Sequence, residues 1–544
     1  MVDLESSNSL DITRKGSIDA NLEEVQGQIT PPTTYHDIVS PVMATSKKTG
    51  YMTPRSPVSL DLCPSPPRVL PNASLGLAGA FEFPEDYTYF EYSAGGGLSS
   101  ISRVLPLAEL FQSESVSSHV YNAALALSAL SLSTNNPVSH STGTGSITLR
   151  RHAFHHSLKA IQGLQHELAQ TQKLGSSSSN SSLRADSALS LFATIMLAAN
   201  FELQRGSIPS WRSHMRGAAS CLNATYAELM KKAAGMLLIR AFARMALLLR
   251  LYNESYSVTT AEYMQPQLVN WLNRLLRESS RLHDRILLLV EEVTALEIQK
   301  RLHPELEDST WSAKSADLLR RVEEWRNDLP PSDIPVDDNT SGTYLTISSQ
   351  DMSTTNSSLL PIPPLHFPHS QDPCITAVNY ASYLCIRMRA LTRYSTSKTI
   401  HPQDTEQNAL TICRIAAAHP PSHFGSSFTY SYGMLPSVVG AYRWSSNPGL
   451  RAWAKHWLTG YRTTREGIWD VTHTLRLIKL MDERVHPAER GRGEVFVAAR
   501  TVDEPDEPED ELGIAEGGSG RKPFKIVLRT RGMGGSSSSV VMVN

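Results

Sequence analysis

Residues 189–201 read LSLFATIMLAANF and are apolar on nearly every side of a helix. A helix that is apolar all round has to be enclosed by other helices or by lipid. Only fifteen uncharged residues separate Asp186 from Glu202, whereas a membrane-spanning helix needs about 20 predominantly apolar residues. The stretch therefore predicts the core helix of a soluble, all-α protein.

Apolar residues recur every three or four positions along most of the chain after Phe81, which is the spacing of one helix face. Val120, Leu127 and Leu130 follow this spacing, and no comparable series of alternating β-branched residues is present. We therefore expect a multi-helix bundle or array. Further amphipathic runs cover residues 211–226, 236–252, 271–276, 282–302, 311–325, 375–391, 409–417, 450–458 and 468–481.

Composition divides the chain into five segments. Residues at both ends and in one internal stretch are rich in Ser, Thr, Pro or charge and have too little periodic apolar surface to offset the entropy of ordering. We expect them to be disordered tails and a long internal polar loop. The segments are a disordered Ser/Thr/Pro-rich part (1–80), the first part of a helical domain (81–329), a flexible insert (330–373), the second helical part (374–485) and a disordered acidic/basic tail (486–544).

Both tails carry candidate regulatory features. Residues 503–511 (DEPDEPEDE) form an acidic block, and residues 521–531 contain five basic side chains that suit either nuclear import or a solvated tail of mixed charge. In the N-terminal tail, five hydroxyl residues precede proline, the dipeptide that proline-directed kinases read in extended chains. Composition alone also produces such pairs. The candidate phosphorylation sites are Thr30, Ser40, Thr53, Ser56 and Ser65.

Motifs for catalysis are missing from the sequence. It contains no G-x-S-x-G elbow, no G-x-x-x-x-G-K-[ST] phosphate loop and no G-x-G-x-x-G after a strand. The chain has 51 Lys+Arg and 53 Asp+Glu, so a formal charge of −2 offers no global attraction to nucleic acid. We predict no catalytic residues, no cofactor and no enzyme activity.

The histidines and cysteines are the residues most suited to bind a metal ion. His152 and His156 are four residues apart, but Ala153 stands where a zincin has its Glu, so we expect a polar helix face opposite an apolar stripe containing Phe154 and Leu158. The five cysteines are too scattered for a disulfide framework and suggest a reducing compartment. We expect Cys385 and Cys413 to be core residues and predict no metal ligands.

Four short sequence motifs in the helical region, called phrases below, combine tryptophans, glycines and Leu-Pro pairs. In physical terms, Gly217 and Gly440 permit close helix approach, Leu-Pro pairs end helices, and Trp side chains fill the volume between helices. The phrases are Leu105-Pro106 before the 121–130 helix; Trp211, His214 and Gly217-Ala218; Leu318, Trp325 and Leu329-Pro330; and Leu435-Pro436, Gly440-Ala441, Arg451, Trp453 and Trp457.

In order and spacing over about residues 81–485, these phrases resemble the regulatory (middle homology) region of fungal binuclear zinc-cluster transcription factors. The resemblance implies a nuclear transcriptional regulator built on a helical scaffold, of a kind that often accompanies metabolic gene clusters. The family-like packing positions are Trp211, His214, Gly217, Trp325, Pro330, Pro436, Gly440, Trp453 and Trp457.

The chain departs from that family in its cysteines. The family reads DNA with six thiolates around two zinc ions, whereas this chain has five cysteines and only Cys63 precedes residue 200. Either the protein acts without the zinc cluster, or the predicted gene begins downstream of it. We therefore expect protein partners (a second copy, a zinc-cluster factor or co-regulators), indirect contact with DNA, and no membrane.

Two other functions stay open at this stage. An all-α enzyme or small-ligand-binding protein would have its cavity among the Trp- and Met-rich helices. A direct DNA binder would use the eight basic residues between Arg205 and Arg250. Several of those arginines flank apolar positions, and we expect them to lie on a solvated face.

Overall fold

Helices carry nearly all the regular structure in the part of the chain that the computed structural model describes, which confirms the predicted all-α class. The described residues are 82–94, 101, 104–105, 107–112, 117–135, 144–174, 181–256, 266–302, 306–337, 361–394, 402–425, 430–461, 465–484, 501–502, 524–532 and 535–543. The segment 1–80 lies outside them, and with it the candidate phosphorylation sites Thr30, Ser40, Thr53, Ser56 and Ser65.

The helices of the first part contain the amphipathic runs that the sequence predicts. The run 282–302 coincides with a whole helix. In chain order they are α1 (Asp86–Ala94), α2 (Leu107–Gln112), α3 (Ser118–Asn135), α4 (Thr144–Leu174), α5 (Ser181–Arg205), α6 (Ile208–Leu229), α7 (Ala233–Tyr256), α8 (Pro266–Arg277), α9 (Leu282–Leu302) and α10 (Asp308–Asn327).

The second part has shorter helices, several of which have proline in the first turn. Asn447 caps the helix that begins at Pro448. Its side-chain oxygen accepts hydrogen bonds from the Gly449 and Leu450 N–H groups at 2.9 and 3.1 Å. The helices are α11 (Pro373–Tyr394), α12 (Pro402–Ala418), α13 (Leu435–Trp444), α14 (Pro448–Thr459) and α15 (Val471–Arg484).

The two helical parts share one core. Consecutive helices mostly pack side by side, and α9 contacts α7 and α8 as well as α10 and α11. A single hydrophobic cluster runs from Tyr89 in α1 to Ile478 in α15. The described helices of the segments 81–329 and 374–485 are therefore joined through α9, α10 and α11 into one helical body.

Helix α5 contains the apolar stretch 189–201 and lies inside this body. Its segment Arg184–Arg205 is the only one among the described residues that is long and apolar enough, by length and composition, to cross a membrane. However, 83% of its most apolar window is buried by the surrounding protein. Burial by neighbouring helices is what the sequence predicts for this stretch.

The orientation of α4 is the reverse of the predicted one. Phe154 and Leu158 are 46% and 55% exposed, whereas His152 and His156 are buried. His156 lies between two partners, with its Nε2 2.8 Å from Asp86 Oδ1 and its Nδ1 3.0 Å from Asn122 Oδ1. The predicted polar face of α4 is therefore the face that packs into the protein.

Small side chains explain this orientation of α4. Ala153, Ala160 and Gly163 lie on the histidine face, and α3 packs closely along it. A Cβ on Gly163 would come within 2.7 Å of His119 Cβ, so only glycine permits this approach of the two helices. The polar atoms of His156 are satisfied by Asp86 and Asn122 from other helices, which no local pattern reveals.

The predicted flexible insert, residues 330–373, is attached to the helical body at both described ends. The N–H of Val336 donates to the carbonyl of His366 at 2.9 Å, and the N–H of Leu365 donates to the carbonyl of Arg414 in α12 at 3.0 Å. Leu365 and Phe367 are buried. Within this insert, residues 338–360 lie outside the described ones.

The structure also contains strands that the sequence pattern does not predict. β1 (Arg465–Glu466) and β2 (Trp469–Asp470) form a short hairpin, in which Gly467 adopts a φ of +52°. In the C-terminal region, β3 (Thr501–Val502), β4 (Phe524–Gly532) and β5 (Gly535–Val543) pair antiparallel. β5 ends in a run rich in β-branched residues of the type that favours strands. The expected disorder of the rest of 486–544 concerns residues outside the described ones.

Candidate functional site in the helical body

Three buried ion pairs join α9 to its neighbours, and we call them the ion-pair core. The Arg250 guanidinium in α7 donates to Glu291 at 2.6 Å, and the Arg389 guanidinium in α11 donates to Glu297 at 2.9 Å. The third pair joins Arg244 of α7 to Asp284 of α9. Buried charges require such partners because an unpaired charge in the interior is costly.

Asp284 is the most enclosed carboxylate of the ion-pair core, with no exposed surface. It accepts hydrogen bonds from the Arg244 guanidinium and, at 2.6 Å, from the Ser279 hydroxyl. Burial by itself raises the pKa of a carboxyl group, but the charge and hydrogen bonds of Arg244, together with Ser279, hold the pKa of Asp284 below its usual value. Asp284 is therefore a carboxylate at neutral pH.

From the sequence, we expect the basic residues between Arg205 and Arg250 to lie on a solvated face. This expectation is wrong for Arg244 and Arg250. Both guanidinium groups are buried against α9. Nearer the surface, Arg205 pairs with Glu202, and two lysines pair with Glu228 and Asp186. The error has a physical cause, because the acidic partners of α9 are about 40 residues away in sequence.

The family-like tryptophans lie in the helical body at different depths. Trp211 and Trp325 are fully buried, Trp457 is nearly so, and Trp453 is half-buried. Trp325 donates from Nε1 to the Leu282 carbonyl at 2.9 Å and thereby joins α10 to α9. Trp457 likewise donates to the Ala416 carbonyl, which joins α14 to α12.

The other family-like positions differ in their surroundings. A Cβ on Gly440 would come within 2.9 Å of Cys385 Sγ, so α13 and α11 approach closely there. The expectation for Gly217 is wrong, because it is exposed on the outer side of α6 and a Cβ would meet nothing within 4 Å. His214 is half-buried on α6, and burial lowers its pKa.

The Leu-Pro pairs do not all end helices. Leu329-Pro330 follows α10, and Pro330 leads into a 3-10 turn over Pro331–Asp333. In contrast, Leu435-Pro436 begins α13, with Pro436 in the first turn. Proline lacks only a donor that has no partner inside the first helical turn, so it suits this position.

Glu466 of β1 caps the start of α13 from inside the protein. Its carboxylate accepts from the N–H groups of Met434 and Leu435 at 2.6 and 2.7 Å and from the Tyr461 hydroxyl at 2.7 Å. Gly433, at a φ of +88°, leaves room, since a Cβ there would lie 2.9 Å from Glu466 Oε1. Burial raises the pKa of Glu466 to about 7, against the lowering effect of these three hydrogen bonds.

We expect Glu466 to make stability depend on pH. Its carboxyl group loses the proton near the ordinary glutamate pKa of 4.5 in the unfolded chain and near 7 in the folded protein, so the folded state loses stability as pH rises between these values. Relative to Glu466→Gln, the parent protein should lose about 2 to 3 kcal/mol of unfolding free energy between pH 5 and 8. Urea denaturation at both pH values measures this difference.

The matched control for Glu466 is Glu228→Gln, which removes a carboxylate in a surface pair with Lys231. It should leave the pH dependence of the parent protein unchanged. An equal pH dependence for the parent and Glu466→Gln would show that Glu466 does not titrate in this range.

Cys374, His419 and His423 meet where α11 begins and α12 ends, and we call them the Cys-His cluster. Their candidate ligand atoms all lie within 4.8 Å of one another, and Cys374 Sγ is 3.8 Å from His419 Nδ1. His419 is buried, Cys374 is half-buried and His423 is exposed. Burial, followed by the neighbouring His423 and His366, lowers the pKa of His419 to about 4, so its imidazole is neutral.

The sequence names none of these three residues as a site. Cys374 precedes His419 by 45 residues, and most of α11 and all of α12 lie between them. The only local signal is the pair His419 and His423, four residues apart around two prolines. By contrast, Cys385 and Cys413 are buried, as the sequence predicts for core residues.

Packed helices, joined by buried ion pairs and tryptophans, form a helical scaffold. The family profile described as the fungal specific transcription factor domain matches residues 99–371. The match covers half of the chain, and the chain belongs to this family of fungal transcription factors. No curated protein and no solved structure matches it.

The matched region ends before α11, although the helical body does not. Arg389 of α11 pairs with Glu297 of α9 across that limit, and Tyr383 of α11 stacks on Trp325 of α10 with ring centroids 5.9 Å apart. Helix α11 is therefore packed as a continuation of the family domain.

Proposed function

We propose that this chain regulates transcription in the nucleus by binding protein partners through its helical body. Membership of the fungal transcription factor family carries this proposal, because it assigns the chain a role in transcription regulation. The tryptophans and the ion-pair core support it further, since they serve to hold helices together and so provide a rigid platform.

We further propose that the helical body contacts DNA only through a partner. Two-zinc binding of the family type needs six closely spaced thiolates, and the 544-residue sequence has five scattered cysteines. Arg205, Arg244 and Arg250 are paired with carboxylates of the same chain, so their charges are not available to bind DNA phosphates. A zinc-cluster factor would then supply the contact with DNA, a second copy of this chain would act as a dimer partner, and co-regulators would bind the tails.

A metabolic gene cluster is the proposed target, on the basis of the family resemblance. Deleting the gene should change the transcripts of a limited set of neighbouring genes, and a fluorescent fusion should accumulate in the nucleus. RNA sequencing and microscopy measure these outcomes. A protein excluded from the nucleus, whose deletion changes no transcripts, would end this proposal.

Recruitment by partners can be separated from direct DNA binding. The chain fused to an unrelated DNA-binding module should change a reporter that carries that module's site, whereas the purified chain alone should show no specific duplex binding. Specific binding by the isolated chain, with the steep salt dependence of phosphate contacts, would favour a direct DNA binder.

A further inference from the structure

The Cys-His cluster lies where three backbone segments meet. Cys374 is the second residue of α11, His419 directly follows α12, and His423 closes the 3-10 turn Pro421–His423. The segment before α11 is held to α12 by the hydrogen bond from the Leu365 N–H to the Arg414 carbonyl. The three side chains are therefore carried by elements that the fold already holds together.

The distances within the cluster suit a tetrahedral metal ion. Zinc bonds of about 2.3 Å to sulfur and about 2.0 Å to nitrogen place a thiolate and an imidazole nitrogen about 3.5 Å apart in a tetrahedron. Cys374 Sγ and His419 Nδ1 are 3.8 Å apart, and the ligand atom of His423 lies within 4.8 Å of both. In the metal-bound protein, the exposed His423 side chain would move closer to the other two ligands to complete the arrangement.

The chemistry of the donors narrows the choice of metal. One thiolate and two imidazoles suit zinc and copper, whereas magnesium and calcium prefer oxygen ligands. Zinc needs no redox partner and accepts the tetrahedral geometry, so it is the ion that we test. Three protein ligands leave one coordination position for water or an added ligand. Among the described residues, no other group of three or more such side chains comes as close together.

We propose that Cys374, His419 and His423 bind one zinc ion. Binding deprotonates the Cys374 thiol, so a zinc–sulfur bond forms and one proton passes to the solvent. The neutral imidazole of His419 binds without losing a proton. The ion joins the first turn of α11 to the end of α12 and stabilises the second helical part against unfolding.

Cobalt and zinc titrations of the full-length, reduced chain test this site. After dialysis against a chelator, CoCl2 should produce the near-ultraviolet thiolate-to-cobalt charge-transfer band, and one equivalent of ZnCl2 should abolish it. The melting temperature should rise with the logarithm of free zinc, by about 2 °C or more at a hundredfold excess over Kd.

Two variants and one control decide which residues bind. Cys374→Ser should remove the charge-transfer band, and His423→Ala, at an exposed position that tolerates the change, should weaken cobalt binding at least tenfold. Cys221→Ser removes another half-buried thiol, one that contacts Thr225, and should bind cobalt like the parent protein.

The proposal is overturned by any of three results. These are the absence of a saturable charge-transfer band in the folded parent protein, a band that persists in Cys374→Ser, or unchanged cobalt affinity in a His423→Ala protein with the parent circular dichroism spectrum. None of these results depends on whether the chain regulates transcription.

Discussion

Asp284→Asn should lower the free energy of unfolding by about 3 to 5 kcal/mol, because it leaves Arg244 charged and unpaired in the interior. Asp284 is fully buried, and only 5% of the Arg244 side chain is exposed. The asparagine keeps the shape of the side chain, but it removes the charge and replaces one of the two accepting oxygens by an NH2 donor. Urea denaturation at pH 7, followed by far-ultraviolet circular dichroism, measures the loss.

The control is Asp317→Asn, at an exposed carboxylate that pairs with Arg320 and Arg321 on the same helix. Surface pairs contribute between about 0 and 1 kcal/mol, so this change should be nearly silent. Replacing both Arg244 and Asp284 by apolar residues of similar size should recover much of the lost stability. Equal losses for the two Asp→Asn variants would contradict the special role of the buried pair.

Trp325→Ala should cost about 3 to 5 kcal/mol, the usual range for removing a fully buried aromatic side chain. Trp325 is 1% exposed and lies among α9, α10 and α11, so a cavity there affects all three helices. The loss should appear as an earlier urea transition of the whole helical body, because α11 belongs to the second helical part.

Two further tryptophan variants test the contributions of the hydrogen bond and of burial to the loss of stability in Trp325→Ala. Trp325→Phe keeps most of the buried ring but loses the hydrogen bond to the Leu282 carbonyl, and should cost about 1 kcal/mol beyond the loss of ring volume. Trp453→Ala removes a half-buried tryptophan and should cost clearly less than Trp325→Ala. If Trp453→Ala lowers the free energy of unfolding as much as Trp325→Ala, burial does not determine the loss of stability at these two positions.

The family-like positions show how far sequence similarity reaches. The resemblance rests on types of residue, and it identifies Trp325 and Gly440 at places where helices meet. The same reasoning fails for Gly217, which lies on an open surface, and for Pro436, which begins a helix. A glycine or a proline has several structural uses, and only the neighbouring elements show which one applies.

The all-α class and the positions of most long helices were determined by the sequence alone, because the spacing of apolar residues is a local property of the chain. The enclosed helix α5 and the run Leu282–Leu302 are its clearest examples. The cysteine count is likewise a property of the sequence, and five cysteines are one fewer than the six thiolates that hold two zinc ions in the family.

Tertiary structure alone decided which polar side chains are buried. The inward face of α4 depends on Asp86, 70 residues before His156, and the Arg244 side chain depends on Asp284. The Cys-His cluster likewise joins residues that α11 and α12 separate in sequence. A buried polar group is stable only when its partner arrives through the fold, and periodicity contains no information about partners so distant in the chain.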